Sequence, residues 1–192
     1  SRNELVLLST TSSPDFPTTR NAEYRLFQGG NPFIANAINY NNGSDIAVTV
    51  LSADGTALVG STFIGGSEND GINNQRYLLY NYGDQFRGEV IVDEADNIYV
   101  ASSTQSPDFP SSNNAFDDRL NGEQDACFFS LNRQCSDLLY SSYLGGGNED
   151  SGYGIKLNSR GEIYVAGGTR SDNFPALNGS DLTYNGGVSD GF

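Results

Sequence analysis

The chain has 192 residues and a formal charge of −14, with 24 acidic against 10 basic side chains and no His, Met or Trp. A surface this acidic repels nucleic-acid phosphates and anionic membranes, and no stretch approaches the roughly 18 apolar residues of a membrane span, so neither nucleic-acid binding nor membrane insertion is expected. Without histidine no Ser-His or Cys-His pair can form, while 11 Tyr and 11 Phe supply the apolar material of a folded domain.

Glu4-Leu5-Val6-Leu7-Leu8 reads as a strand, so close to Ser1 that the natural start is expected upstream. Asp15-Phe16-Pro17 follows. Proline has no N–H to give a ladder, so the motif marks the chain leaving a sheet, with Phe16 plugging the gap beside the exit. Residues 27–40 gather Phe27, Phe33, Ile34, Ile38 and Tyr40. Asp45-Ile46-Ala47-Val48 opens the next strand, and Ser52-Ala53-Asp54-Gly55-Thr56 carries the Asp-Gly step of a hairpin turn. The aspartate box of sialidase-type propellers is set aside there, because the spacing differs and its Trp is missing. Two glycosylation sequons, Asn42-Gly43-Ser44 and Asn178-Gly179-Ser180, are no more than chance supplies in a chain rich in Asn and Ser.

The loop Gly65-Gly66-Ser67-Glu68-Asn69-Asp70-Gly71 returns later as Gly145-Gly146-Gly147-Asn148-Glu149-Asp150-Ser151-Gly152. Clustered oxygen ligands on a glycine-rich backbone suit a hard cation, and Asp and Asn beside Gly are equally the residues of tight turns. Glu68, Asp70, Glu149 and Asp150 are therefore the candidate calcium ligands, turn chemistry is the alternative, and no other cofactor is expected. Residues 72–86 are locally aromatic, and Tyr77, Tyr80, Tyr82 and Phe86 are the candidate partner-binding residues. The alternative is that 72–86 folds down and packs with 27–40 as a cap.

Beyond this point the spacing predicts strands over 89–93, 97–104, 125–131 and 138–144. Cys127 reads as a small core residue. Cys135, in the turn after it, reads as a free thiol or an intermolecular link, since about four residues of strand, ~13 Å, separate Cys127 from the turn, well beyond the ~4.4–6.8 Å that a disulfide spans.

A repeat ties these elements together. Asn97-Ile98-Tyr99-Val100-Ala101 recurs sixty-five residues on as Glu162-Ile163-Tyr164-Val165-Ala166, and Asp108-Phe109-Pro110 recurs as Asn173-Phe174-Pro175. Ser61-Thr62-Phe63-Ile64-Gly65-Gly66 matches Ser141-Ser142-Tyr143-Leu144-Gly145-Gly146. The first copy is longer by thirteen residues before Asp45 and fifteen after Gly66, which are read as insertions. Four short strands per unit, repeated in tandem, predict an all-β partial β-propeller of four-stranded antiparallel blades, with a β-solenoid as the alternative. The division is a partial blade over 1–66, an insertion over 67–87, a full blade over 88–146 and a partial blade over 147–192. Val100 and Val165 are expected in equivalent buried positions.

Asp125-Ala126-Cys127-Phe128, Leu139-Tyr140-Ser141-Ser142-Tyr143-Leu144-Gly145-Gly146, Glu162-Ile163-Tyr164-Val165-Ala166-Gly167-Gly168-Thr169 and Asn173-Phe174-Pro175 together resemble the SBBP β-propeller repeat of large bacterial secreted and surface proteins. The resemblance covers nearly the whole chain apart from the two insertions. It implies an extracellular or cell-surface location and no agreed catalytic motif. The expected role is a non-catalytic structural, adhesive or protein-interaction module, with a lectin-like or calcium-dependent binding module as the alternative and a carbohydrate-active hydrolase third. The expected partners are further blades of the same protein or other copies of the chain, then another surface protein or a glycan.

Overall fold

Runs such as Ile46, Val48, Val50 and Ile98, Val100 place an apolar side chain at every second residue, the period of a pleated strand. The structure, a computed structural model describing residues 2–35, 37–81 and 83–192, is built of such strands. In chain order they are β1 (Leu5–Thr11), β2 (Phe33–Ala35), β3 (Ile38–Tyr40), β4 (Asp45–Leu51), β5 (Leu58–Ile64), β6 (Glu89–Val92), β7 (Ile98–Thr104), β8 (Asp125–Leu131), β9 (Leu138–Leu144), β10 (Asp150–Leu157), β11 (Ile163–Thr169) and β12 (Asp190–Gly191). The only regular helix among the described residues is two single 3₁₀ turns, Arg76–Leu78 and Asp84–Phe86. The fold is all-β, and the strands over β6 to β9 fall within a residue of where the repeat puts them.

Among the described residues three larger antiparallel sheets follow one another along the chain, ordered β1-β4-β5, β6-β7-β8-β9 and β10-β11-β12, beside the two-stranded β2-β3 sheet, and none closes into a barrel. Their registers repeat. Thr11 pairs with Asp45, Thr104 with Asp125 and Thr169 with Asp190. A bulge between Val50 and Leu51 reappears between Ser130 and Leu131. Val90 faces Val100 as Ile155 faces Val165. β1 is thus the counterpart of β7 and β11, and β10 is the counterpart of β6.

The apolar faces of the first two sheets share one core, in which Ile46, Val48, Val50 and Ile64 meet Ile98, Val100, Phe129 and Leu131. Cys135 belongs to that core. Its backbone takes the left-handed conformation (φ 53°), and its carbonyl accepts the Glu23 N–H at 2.9 Å. The thiol is fully buried beside the Val48 carbonyl, and burial pushes its pKa up to about 12. An intermolecular link through Cys135 is therefore overturned: the turn that carries it is wedged between two sheets. Gly60 permits the wedge, because a Cβ there would stand 2.5 Å from the Gln134 carbonyl carbon. Cys127 is a buried core residue and both thiols are free.

Val100 and Val165 share a register but differ in environment: Val100 is fully buried and Val165 half-buried. The difference is one of cover, since β8 and β9 complete the sheet around Val100 while β12 is two residues long. The insertions also prove narrower than expected. The residues added before Asp45 form the β2–β3 hairpin, while Phe27 packs edge-on against Phe63, 5.8 Å between centroids. The second insertion interrupts a strand. Asp70 bridges Thr104 as Asp150 pairs with Thr169, so Asp70 already belongs to the ladder that resumes at Glu89. In β10 the same strand runs through with a bulge between Gly152 and Gly154. The extra residues of the second sheet leave the ladder at that point.

The copies of the Phe-Pro motif should differ in worth accordingly. Phe109 is 2% exposed against Phe129 and Tyr143, whereas Phe174 is half-buried and stacks on Phe192. Phe109→Ala should cost about 3–5 kcal/mol by denaturant unfolding and Phe174→Ala much less. Equal losses would contradict the assignment of the shared core to the first two sheets.

Candidate functional site

Two features carry the chemistry of this molecule: the joints between successive sheets and the strap formed by the second insertion.

At the first joint the loop after β5 folds over the end of β7. Asp70 Oδ2 accepts the Gly66 N–H and the Ser106 hydroxyl, each at 2.8 Å, and Oδ1 accepts the Thr104 hydroxyl. Ser106 Oγ takes the Glu68 N–H at 2.9 Å, and Asp108 Oδ1 takes the Ser67 N–H at 2.8 Å. The second joint repeats this. Asp150 Oδ2 accepts the Gly146 N–H at 2.7 Å and the Ser171 hydroxyl at 2.9 Å; Ser171 Oγ takes the Asn148 N–H at 2.9 Å, and Asn173 Oδ1 the Gly147 N–H at 2.7 Å. Glycine is required at the first loop position. A Cβ on Gly65 would lie 2.7 Å from an Asp45 oxygen and 2.8 Å from an Asp70 oxygen, and Gly145 is held between Asp125 and Asp150 at 2.5 and 2.8 Å.

Each joint thus buries two carboxyls about one glycine. Burial raises Asp45 to about 6 against the N–H bonds from Gln28 and Gly29. Burial likewise raises Asp70 to about 8, against its three hydrogen-bond donors and with the Asp45 charge adding to the rise. Asp125 is raised to about 7 by burial first, with Asp150 contributing. These carboxyls have no solvent access. Their pairing recurs at both joints, so it is read as architecture in preference to an acid–base pair for hydrolysis, which must reach substrate.

The four candidate calcium ligands are therefore distributed among other partners. Asp70 and Asp150 are enclosed in the joints. Glu68 accepts Asn31 Nδ2 at 2.8 Å, and Glu149 pairs with Arg170. Among the described residues no three Asp, Glu or Cys side chains gather as a metal site would require. The Thr-x-Ser-x-Asp/Asn segments that receive the loops, 104–108 and 169–173, were not singled out in the sequence, although their Ser and Thr recur at the sixty-five-residue offset.

The strap spans the three sheets. Asp84, 3% exposed, shapes its turn: Oδ2 accepts the N–H groups of Tyr80 and Asn81 at 3.0 and 2.7 Å, and Oδ1 faces Arg87 at 3.2 Å. Burial pushes this carboxyl up, and the Asn81, Arg87 and Tyr80 donors together overcome it and hold it below the usual range. Leu78 is buried against the third sheet, where its carbonyl accepts the Tyr153 hydroxyl at 2.8 Å and Gly168 leaves room for its side chain. Buried Gln124 anchors the strap from below, donating to Asn73 Oδ1 at 3.0 Å and to Ser151 Oγ at 2.7 Å.

The four candidate partner-binding residues separate on this frame. Phe86 stacks on Tyr40, 5.5 Å between centroids, and Tyr40 stacks on Phe33 at 4.5 Å, so the two insertions meet directly. Tyr77 is exposed, with the Arg170 guanidinium 4.7 Å and the Arg76 guanidinium 5.5 Å from its ring centroid. Tyr80 is 65% exposed, its hydroxyl 3.5 Å from Ser189 Oγ. Tyr82 lies outside the described residues. No family model and no curated protein matches this chain.

Two measurements follow from these features. Asp70 binds its proton more tightly folded than at the ordinary value of 3.8, so folding takes up a proton, and the stability that Asp70 contributes should be greatest at acid pH and fall as pH rises through about 8. Asp70→Asn, neutral at every pH, should flatten that fall when denaturation midpoints are followed across the same range. For the strap, Leu78→Ala should cost about 2–5 kcal/mol and Tyr80→Ala no more than about 0.5 kcal/mol. A large loss at Tyr80 would make it part of the packed cap.

Proposed function

We propose that the chain is a run of β-propeller blades serving as a non-catalytic structural or protein-interaction module of a larger extracellular or cell-surface protein. The observation that carries this reading is the repeated joint: the same buried aspartate, glycine loop and Ser/Thr socket tie the first sheet to the second and the second to the third. A four-stranded antiparallel sheet with strands in chain order is the unit from which propellers are assembled by radial repetition. In that assembly β1, β4 and β5 are the second to fourth strands of one blade, β6 to β9 a whole blade, and β10 to β12 the start of a third. The resemblance to SBBP repeats supports the same reading and is the ground for the extracellular placement.

The expected partners are further blades. Tyr164, Leu177, Leu182 and Val188 lie exposed around the third sheet, and apolar groups left in water by an incomplete unit favour association. The rim formed by Tyr77 and Tyr80 is the place for a second surface protein or a glycan to be held, with aromatic rings and arginine as its recognition chemistry. Sedimentation velocity over a range of concentrations should show this chain associating, and Tyr164→Ser combined with Leu182→Ser should suppress it. A species that stays monomeric at every concentration and unfolds cooperatively would remove the incomplete-blade reading.

A further inference from the structure

β7 and β11 each have a strand along both edges, while β1 pairs with β4 alone. The inner neighbour of β7 is β6 together with Asp70, and that of β11 is β10. Along β1 no described strand occupies the corresponding edge. The segment just beyond β1 is nevertheless shaped like the two sockets already described. The Ser13 N–H donates to Thr11 Oγ1 at 3.1 Å, as Ser106 does to Thr104 at 3.0 Å and Ser171 to Thr169 at 2.9 Å. The Phe16 N–H donates to the Ser13 carbonyl at 3.1 Å, as Phe109 does to Ser106 and Phe174 to Ser171, both at 3.3 Å. Asp15 stands where Asp108 and Asn173 stand.

What separates the three is cover. Ser106 and Ser171, under their loops, are 0% and 1% exposed, whereas Ser13 is exposed. A cleft of about 370 Å³ opens between Thr11–Ser13 and Asn41–Asn42. Thr10 and Tyr40 also line a groove of about 490 Å³ along β1, whose far wall includes Gly88 and Val90.

We propose that this socket and the free edge of β1 bind a segment with the pattern Gly-Gly-x-x-x-Asp followed by an antiparallel strand, supplied by a further unit of the same repeat. The chemistry is that of the two occupied joints. The incoming aspartyl carboxyl accepts the Thr11 and Ser13 hydroxyls, loop N–H groups meet Ser13 Oγ and Asp15, and the strand extends along β1 from an Asp paired with Thr11. Neither loop of a second copy is free to do this, because both are already held in their own sockets. The inference rests on the blade reading for the origin of the segment. Its test is separate, since the socket lies on the first sheet and the association test above reads the third.

A fluorescein-labelled peptide of residues 145–158, Gly145 to Asn158, titrated with the 192-residue chain and followed by anisotropy, is the direct probe. Saturable one-to-one binding is expected. Asp150→Ala in the peptide, and Ser13→Ala or Asp15→Ala in the chain, should each weaken it by about tenfold or more, the loss of one or more hydrogen bonds closed off from water. Ser13 and Asp15 are exposed, so both chain variants should fold, and an unchanged denaturation midpoint confirms it. Absence of saturable binding, or equal binding by the Asp150→Ala peptide, overturns the proposal. So does self-association of the unmixed chain that Ser13→Ala abolishes, because the occupant would then be an exchanged loop of a second copy.

Discussion

A carboxyl group taken out of water must find donors to replace the solvent it loses, and leaving it unmet costs more than most single contacts supply. Asp70 meets this demand by gathering a glycine N–H from its own loop and two hydroxyls from the next sheet, and Asp150 gathers the Gly146 N–H and the Ser171 hydroxyl through Oδ2. Much of the remaining sequence pattern follows from that requirement. The loop must start with glycine because the neighbouring carboxyl occupies the space of a side chain. The receiving segment must carry Ser106 or Ser171 because each of these hydroxyls both accepts from the loop and donates to the aspartate, while the preceding Thr104 or Thr169 hydroxyl accepts the serine N–H and holds it in place. Spacing between sheets is thereby set by directional bonds.

Apolar burial plays the complementary part. The shared core of the first two sheets is extensive but tolerant of direction, since the hydrophobic effect scales with area and not with angle. Ile46, Val48 and Val50 could slide against Phe129 and Leu131 without much loss of buried surface. The joint at Asp70 and the wedge at Cys135 remove that freedom. The third sheet is attached more by polar groups: Glu89 reaches Lys156 and the Ile155 N–H, Gln124 bridges to Ser151, and Tyr153 bonds the Leu78 carbonyl. Interiors of this kind, part hydrocarbon and part hydrogen-bonded network, trade some tolerance to substitution for a single arrangement.

Much of the fold could be read from the residues. Period-two alternation and the sixty-five-residue offset located β6 to β9 to within a residue, because strand pleat and turn chemistry are local properties. Long-range facts were less accessible. Cys135 read as a turn residue carrying a free thiol or an intermolecular link; its turn is covered by β4 and the segment around Glu23, far away in sequence. The equivalence of Val100 and Val165 held for register but not for cover, which depends on neighbouring strands. At the candidate site, the acidic loops were visible as motifs. Their partners were not, since Thr and Ser at the end of a strand look ordinary until a carboxyl from another sheet is placed against them. The split between Phe86, stacked, and Tyr77 and Tyr80, exposed, likewise depends on which neighbour each ring meets.

The bulge between Gly152 and Gly154 in β10 marks the position at which the second sheet admits a whole strap. A ladder at such a point already carries a residue outside the pairing scheme, so a longer excursion can begin and end there while the pairs on either side keep their partners. Asp70 opposite Thr104 and Glu89 opposite Ala101 do keep theirs across the interruption. A repeat with this property can be individualised unit by unit. The pairing stays constant while one position in the first strand of the second and third sheets varies in length and chemistry, so that two similar units present different faces.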